Sequence, residues 1–265
     1  MTPAPLTSRE RVRLALAHQP TDRVPVAMIC AGINAPARRA CDALLRRERG
    51  IGLDAYLEPT IDVVNVGPAY VGPGLPTGAD IWGVVRAPVD YGAGVYDEIV
   101  VHPLAAVTDA AQVARHRFPS TAMFDYAGLP ERIRALQRAR ERSVMVANGN
   151  VFENSWYLRG FEQFFVDLID NPDMAHAIMR RVTDFLTAHF RRMLAAADGM
   201  IDLVFTADDI AGQNGLLMSL SMWERFIKPY HIEINRVIHE FGAKVVYHSD
   251  GGVMDAVPGL IDMGI

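Results

Sequence analysis

The sequence has little cysteine, no long hydrophobic run and no excess of positive charge. Cys30 and Cys41 are the two cysteines among 265 residues, too few for a disulfide framework, so a reducing, cytoplasmic setting is expected. No stretch approaches the roughly 20 consecutive apolar residues of a membrane-spanning helix. Residues 1–5 also lack the basic region and apolar run of a signal peptide. The sequence therefore predicts neither a disulfide scaffold nor a membrane span.

The charge balance argues against a nucleic-acid partner. Lys and Arg number 26 and Asp and Glu 31, a net charge of -5, whereas nucleic-acid binders need a basic face. No Gly-rich phosphate loop, nucleophile elbow or Cys-x-x-Cys pair occurs. Half of the residues (50%) are hydrophobic, which is ample for the core of one domain over residues 1–265.

Five short apolar runs alternate with helical segments, the pattern of a parallel α/β fold. The predicted strands cover residues 22–29, 62–66, 143–147, 202–206 and 244–247. Residues 262–265 have the pattern of a helix end followed by the first residue of a sixth strand. Two architectures are compatible with this pattern. One is a (β/α)8 barrel that lacks its last strands, and the other is an open sheet of five strands.

Two local patterns add detail to this outline. Residues 80–103 contain two β-rich runs around a Gly-rich turn, which predicts an antiparallel hairpin inserted beside the main sheet. Ser8 predicts the N-cap of the first helix. Ser221 and Glu224 have the spacing of a capping box for one helix over residues 221–241.

Polar side chains cluster after three of the predicted strands. The clusters are Asn148, Asn150 and Glu153, then Asp208, Asp209 and Gln213, and then Tyr247, His248 and Asp250. In a barrel all three clusters would face one mouth, where crowded carboxylates suit acid–base chemistry or cation binding. The alternatives are helix capping for the two adjacent aspartates and a structural role for the histidine. Cys30 is either a thiolate ligand or a small buried residue.

Six segments carry a family resemblance. They are Ser-Arg-Glu-Arg-Val at 8–12, Asp-Arg-Val-Pro-Val at 22–26, Gly-Phe-Glu-Gln-Phe-Phe-Val-Asp-Leu at 160–168, Asp-Asp-Ile at 208–210, Met-Ser at 218–219 with Trp223 and Lys228-Pro229, and Tyr-His-Ser-Asp-Gly at 247–251. Together they span nearly the whole chain and resemble the uroporphyrinogen decarboxylase superfamily. The resemblance implies a (β/α)8 barrel that would be incomplete at its C-terminal side. It also implies either decarboxylation of uroporphyrinogen or methyl transfer to cobalamin.

Two departures from the superfamily patterns bear on the reaction, the first from the decarboxylases and the second from the methyltransferases. The decarboxylases carry an arginine-rich block after the first strand, which grips the acetate and propionate groups of the substrate. Here residues 28–34 contain no arginine, and the first one follows at Arg38. The methyltransferases typically show His-x-Cys with a further Cys, and together these bind zinc. Here Asp250 stands in place of the first Cys, so either an oxygen-donor site beside His248 or no metal site is expected.

The resulting hypothesis is a methyltransferase that moves a methyl group from a small, methoxylated or similar substrate to a corrinoid cofactor held on a partner protein. The residues assigned to catalysis are His248, Asp250 and Asp209, with His248 and Asp250 as ligands of a metal for which zinc is the candidate. The residues assigned to substrate binding are Asn148, Asn150, Glu153, Asp208, Gln213 and Tyr247. The expected partners are the substrate, the corrinoid protein and a second copy of the chain. The alternatives are uroporphyrinogen decarboxylation in porphyrin biosynthesis and a non-catalytic binding barrel or inactive fragment.

Overall fold

The computed structural model describes residues 5–28, 32–92 and 94–265, so Cys30 lies outside the described residues. The α-helices are α1 (Ser8–Leu16), α2 (Ala35–Arg49), α3 (Leu53–Leu57), α4 (Leu129–Gln137), α5 (Phe152–Arg159), α6 (Phe161–Asp170), α7 (Pro172–Ala197), α8 (Leu220–Phe226), α9 (Lys228–Glu240) and α10 (Val257–Asp262). The strands are β1 (Val63–Asn65), β2 (Ala69–Tyr70), β3 (Val85–Asp90), β4 (Val95–Val101), β5 (Phe124–Asp125), β6 (Ser143–Asn150), β7 (Leu203–Ala207), β8 (Ala211–Gly212), β9 (Gly215–Leu216) and β10 (Lys244–His248). Short 3-10 helices cover Ala110–Arg115, Thr121–Met123 and Met254–Ala256.

The central sheet is parallel and its strands follow one another in chain order. The order is β1, β6, β7 and β10, and a parallel bridge between Val26 and Ile61 adds a fifth position beside β1. A doubly wound sheet would reverse its strand order, whereas a (β/α)8 barrel adds each new strand on the same side. The sheet is therefore an arc of a barrel, which confirms the predicted fold. Of the predicted first strand, the described residues form only the bridge at Val26.

The two faces of the arc are both apolar, as expected for a parallel sheet covered on both sides. A small inner cluster contains Met145, Leu203 and Phe205. The larger outer cluster takes the alternate residues, such as Val146 and Val204, and packs them under the outer helices. This alternation decides which side chains at the strand ends face the interior of the arc and which face the helices.

The predicted hairpin is present as β3 and β4, which pair antiparallel from Val85 with Val101 to Asp90 with Val95. Its first strand begins later than the sequence pattern indicated. The Asp80 carboxylate accepts the backbone N–H groups of Trp82 and Val84, at 2.9 and 3.1 Å, and so holds residues 80–84 in a turn.

Two predicted helix starts were wrong by one or two residues. Thr7 caps α1 in a capping box with Glu10, and the Ser8 hydroxyl instead donates to the buried Asp62 at 2.7 Å. Ser219 caps α8, in place of the predicted box of Ser221 and Glu224. The long helix predicted there is two helices, because proline at position 229 lacks the N–H that a continuous helix needs.

Helix α1 covers the amino-terminal end of the arc and is held there by two carboxylates. Asp62, just before β1, accepts hydrogen bonds from Ser8, Arg11, Arg23 and the backbone N–H of Val26, at 2.7 to 2.9 Å. The side chain of Asp62 has no exposed surface. A carboxylate so buried is stable only when it is paired and fully hydrogen-bonded.

Asp202, just before β7, is the second of these carboxylates. It accepts hydrogen bonds from Arg9 at 2.9 and 3.0 Å and from Arg13 at 2.9 Å, and also from the Ser143 hydroxyl at 3.2 Å. Arginines from α1 therefore reach the starts of two separate strands. These ion pairs stabilise the amino-terminal end of the barrel arc.

Within the described ranges, no helix combines the length and the apolar character needed to cross a membrane.

Substitution of Asp62 tests how strongly this network anchors α1. Asp62→Ala removes a fully buried carboxylate that pairs with Arg11 and Arg23 and accepts from Ser8, so we expect the free energy of unfolding to fall by about 3–5 kcal/mol. Urea denaturation measures the change, with Asp54→Ala as the control, because Asp54 pairs with Arg38 at the exposed surface.

The pH dependence of the same variant gives a second readout. Burial raises the pKa of Asp62, but the hydrogen bonds that its carboxylate accepts, first that from Arg23, outweigh burial, so the pKa is lowered. A lowered pKa stabilises the folded protein above the unfolded value of about 3.9, and this contribution is lost as the pH falls below it. The gap between wild type and Asp62→Ala should therefore narrow in acid. Equal losses for Asp62→Ala and Asp54→Ala would contradict the anchoring role.

Candidate functional site

The carboxyl ends of three neighbouring strands lie at one level of the sheet. His248 at the end of β10 pairs with Ala207 of β7, and Ala207 pairs on its other side with Asn150 of β6. Directly paired residues of a parallel sheet point to the same face. Ala207 belongs to the inner cluster, and the His248 ring lies 6.0 Å from that of Phe205, also of that cluster. His248 therefore faces the interior of the arc, at what we call the mouth.

His248, Asp209 and Asp250 come together at the mouth from two different loops. The His248 Nε2 atom lies 3.6 Å from Asp209 Oδ1 and 3.6 Å from Asp250 Oδ1. The backbone N–H of Asp250 also donates to Asp209 Oδ1 at 2.8 Å, which ties the two loops together. These are the three residues that the sequence assigned to catalysis.

Gly251 permits the close approach of these two loops. Its φ of +89° lies in the left-handed region, and a Cβ atom there would stand 2.6 Å from the Gly212 carbonyl oxygen. Only glycine fits such a position without strain. The loop after β10 therefore packs directly on the β8–β9 hairpin.

The three side chains have the geometry and donor types of a metal site. One ligand atom from each can be chosen so that all three lie within 4.8 Å of one another. Two zinc bonds of 2.0–2.1 Å at a tetrahedral angle would place their donor atoms about 3.4 Å apart, close to the two distances of 3.6 Å. One imidazole and two carboxylates leave a fourth position free for a substrate atom, as in catalytic zinc sites. The residues therefore fit zinc.

Asp208, the neighbour of Asp209, points the other way. Its side chain has no exposed surface, and its two oxygens accept the backbone N–H groups of residues 151, 152 and 153 at 2.9 to 3.2 Å. The His231 Nε2 atom donates to it as well, at 2.5 Å. Asp208 thus caps the start of α5 from a neighbouring strand. Asp208 therefore does not lie at the mouth. Helix capping, the alternative that the sequence offered for this residue, matches its position.

Tyr247 and Gln213 are also away from the group at the mouth. The Tyr247 ring lies edge-on to His231, with centroids 5.3 Å apart, on the helix-covered side of the sheet. Burial, followed by the nearby Asp208, raises the pKa of the Tyr247 hydroxyl well above its usual value. Gln213 is exposed in the turn between β8 and β9.

Glu153, on the first turn of α5, belongs to a second polar group beside the mouth. Its carboxylate oxygens accept hydrogen bonds from the Tyr157 hydroxyl, at 2.8 Å, and from the Asn150 amide. Burial is the largest cause of a raised pKa for Glu153, and the charge of Asp208 adds to it. A carboxyl group of this kind keeps its proton to a higher pH than an exposed one and can donate it.

A cavity of about 620 Å³ opens beside this group. Strand β1 pairs with β6 only as far as Met145, and within the described ranges no strand pairs with that edge of β6 beyond Met145, where the cavity lies. The residues that line it are amides (Asn148, Asn150 and Asn154), aromatics (Trp82, Phe124, Tyr157 and Phe185), Leu75, Ile81, Ala147, Leu186, His189, and the pair Asp80 and Arg86. An adjoining cavity of about 460 Å³ shares Phe124, Ala147, Asn148 and His189 with it.

Asn148 lies where the two cavities meet, in an irregular part of β6. The register of β6 with β7 shifts between Val146 and Gly149, and Asn148 has a φ of +82°. Backbone strain of this kind is uncommon outside glycine and concentrates at functional sites. The predicted substrate-binding residues Asn148 and Asn150 thus line the cavities, whereas His248 and the two aspartates lie at the mouth.

The sequence did not reveal several residues of the cavity wall. Arg86 lies on the hairpin, its guanidinium 4.9 Å from the centre of the Tyr157 ring and bonded to Asp80 at 2.8 Å. His189 of α7 bonds the Tyr126 hydroxyl at 2.5 Å, and burial lowers the pKa of the imidazole to about 4. Arg86 and His189 are far apart in sequence, so no motif links them. The sequence indicated only that Arg86 lies in an alternating strand of the hairpin and that His189 lies on one face of a helix.

Substitutions at Asp208 and Asp209 test whether these neighbouring side chains have different roles after β7. Asp208→Ala leaves three N–H groups and His231 without their acceptor, so we expect the free energy of unfolding to fall by about 3–5 kcal/mol. Asp209→Ala removes a partly exposed carboxylate and should change stability little. Urea denaturation of both variants decides the matter, and equal losses would contradict the capping role.

Glu153 should make stability depend on pH. Its raised pKa means that the unfolded chain loses the proton first, at about 4.3, so stability falls as the pH rises from there through the folded-state pKa. Glu153→Gln cannot ionise. We expect the stability of the variant relative to wild type to increase with pH, measured by urea denaturation from about pH 4 to about pH 9. A difference that stays constant over this range would show that Glu153 titrates normally.

Comparisons with known proteins agree with this architecture. A methyltransferase from Methanosarcina mazei has a similar solved structure, with a TM-score of 0.63 at 16% sequence identity, over 98% of this chain and 74% of that chain. At this identity the likeness concerns the fold alone. No curated protein matches the sequence significantly. The family described as uroporphyrinogen decarboxylase (URO-D) matches residues 89–265, two-thirds of the chain. The matched region contains β6, β7 and β10 with the polar residues at their ends, and the chain belongs to the uroporphyrinogen decarboxylase family.

Proposed function

We propose that this protein transfers a methyl group from a small, methoxylated or similar substrate to a corrinoid cofactor held on a partner protein. The family and the fold shared with a methyltransferase support this class of reaction. The observation that carries the proposal is the group of His248, Asp209 and Asp250 at the mouth, whose ligand atoms lie close enough together to hold one metal ion.

The metal would be held by His248 Nε2 and by one oxygen from each aspartate. When bound, it would act as a Lewis acid that polarises the substrate oxygen and makes the methyl–oxygen bond easier to break. Oxygen ligands suit this role, because an ether substrate needs its oxygen polarised and no thiolate has to be formed.

The side chains of the cavity would then hold the rest of the substrate. Asn148 and Asn150 offer amide donors and acceptors, and Trp82 and Phe124 offer flat apolar surfaces. Glu153, with its raised pKa, would keep a proton available for the oxygen that loses its methyl group. The Tyr157 hydroxyl and the Asn150 amide fix the orientation of the Glu153 carboxyl group.

The charges of the cavities fit this substrate class better than uroporphyrinogen. Among the described residues that line the two cavities, the permanent cations are Arg86 and Arg132, and Asp80 already neutralises Arg86. A tetrapyrrole with many acetate and propionate groups needs several free cations. The mouth presents carboxylates to such a substrate, and like charges repel it.

The proposal predicts one zinc site with a defined set of ligands. Isothermal titration of the purified protein with Zn²⁺ should give one ion per chain. His248→Gln and Asp250→Asn should each weaken binding by about tenfold or more, because each removes one of three protein ligands. Asp255→Asn, an exposed aspartate in the next turn of the chain, is the matched control. Equal affinities in all four proteins would refute the site.

The reaction itself is tested with the zinc-loaded protein, cob(I)alamin and a panel of methoxylated substrates. Formation of methylcobalamin, followed by its absorption spectrum, supports the proposal if His248→Gln abolishes it and Asp255→Asn does not. Decarboxylation of uroporphyrinogen without any methylcobalamin would instead establish the rival reaction.

A further inference from the structure

The smaller of the two adjoining cavities, of about 460 Å³, lies between helices α4 and α7, next to the end of β1. Each helix turns two side chains toward it that are one helical turn apart. They are Arg132 and Leu136 from α4 and His189 and Met193 from α7. We call it the side cavity. It adjoins the larger cavity, because His189 and Asn148 line both.

Arg132 brings an unused positive charge to the side cavity. The neighbouring Glu131 accepts hydrogen bonds from Arg134 and Arg138 instead, at 3.2 and 3.1 Å. Arg132 forms no ion pair with any of the described residues, and none of the described residues that line the side cavity is acidic. An arginine offers a planar fork of N–H donors that matches the oxygens of a carboxylate or a phosphate.

Three neutral polar groups line the side cavity together with Arg132. The side-chain amides of Asn65 and Asn148 hydrogen-bond to none of the described residues. His189 uses Nδ1 for the Tyr126 hydroxyl, whereas its Nε2 atom has no partner among the described residues and is not sealed from solvent. When Tyr126 donates to Nδ1, the Nε2 atom carries the hydrogen and can donate it to an anion.

One cation with neutral donors beside it fits one anionic group. An anion that leaves water needs an opposite charge and further hydrogen bonds to its remaining oxygens. The side cavity offers both, and its walls also include apolar side chains such as Phe124 and Val146. An arginine that served only the solvated surface would need neither the donors nor the apolar walls.

We propose that the side cavity binds one carboxylate or phosphate group of a small molecule whose remainder occupies the larger cavity. Arg132 would pair with this group, and Asn65, Asn148 and His189 Nε2 would donate to its other oxygens. Because the two cavities adjoin, one ligand can fill both. Identifying this ligand with the methyl donor rests on the proposed function, and it would make the donor an anion. The anion site itself does not rest on that function.

Matched charged and neutral probes test the site by isothermal titration. The protein is first freed of metal by dialysis against a chelator, so that no ion at the mouth can bind the probes. We expect 4-methoxybenzoate to bind about tenfold or more tightly than the neutral 4-methoxybenzamide, because only the benzoate can form an ion pair with Arg132. 4-Methoxyphenyl phosphate distinguishes the two anionic groups, since the tighter of the two charged probes names the group that the site prefers.

Three variants locate the site. Arg132→Gln should bring benzoate and benzamide to within about twofold of each other. Arg134→Gln is the matched control, because it removes a charge from the same helix outside the side cavity and should leave the preference intact. Asn65→Ala, at an exposed position, should weaken benzoate binding by about threefold without removing a charge.

Two outcomes overturn the anion site. One is that neither charged probe binds at millimolar concentration, or that benzoate binds no better than benzamide. The other is a preference for benzoate that Arg132→Gln leaves unchanged, since the anion is then bound elsewhere. The titrations contain neither zinc nor a corrinoid, so a failure here leaves the proposed reaction standing, and a failure of methyl transfer leaves the anion site standing.

Discussion

The buried carboxylate of Asp208 is the interaction on which the site depends. It belongs to the chain just after β7, it caps the start of α5 after β6, and it accepts a hydrogen bond from His231 on α9. One carboxylate thus connects two successive βα units, that of β6 with α5 and that of β7 with α9. Asp208 holds the start of α5 in place. It thereby sets the positions of Glu153 and Tyr157, which lie on α5 beside the mouth. Because Asp208 turns toward the helices, Asp209 is left to face His248.

The two ends of the barrel arc carry carboxylates for different purposes. At the amino-terminal end, Asp62 and Asp202 are surrounded by arginines from α1 and have no capacity left for a ligand. At the carboxyl end, Asp209 and Asp250 share one imidazole, and Glu153 holds neutral partners. This division agrees with the general behaviour of (β/α)8 barrels, in which the amino-terminal face serves stability and the carboxyl-terminal face serves chemistry.

The hairpin insertion connects the site to the outer surface of the molecule. Arg86 at its base lines the cavity, whereas Tyr91 at its tip is exposed. The register of β3 with β4 makes the hairpin one paired unit that joins these two positions.

The sequence by itself indicated a parallel α/β fold, the hairpin and polar residues at three strand ends, because hydrophobic period and turn residues are local properties of the chain. The barrel was implied by the family resemblance, since the pattern alone also allowed an open sheet. It also singled out His248, Asp209 and Asp250 at the ends of their strands, and the structure brings these three side chains together. Only the tertiary structure decided that Asp208 caps α5 instead of reaching the mouth, that the Ser8 hydroxyl donates to Asp62 and that Arg86 and His189 line a cavity. Each of these depends on which face of a strand or helix a side chain takes and on a partner distant in sequence. The physical reason is the alternation of the strand, since neighbouring residues such as Asp208 and Asp209 point to opposite sides of the sheet, and only packed layers give those sides different surroundings.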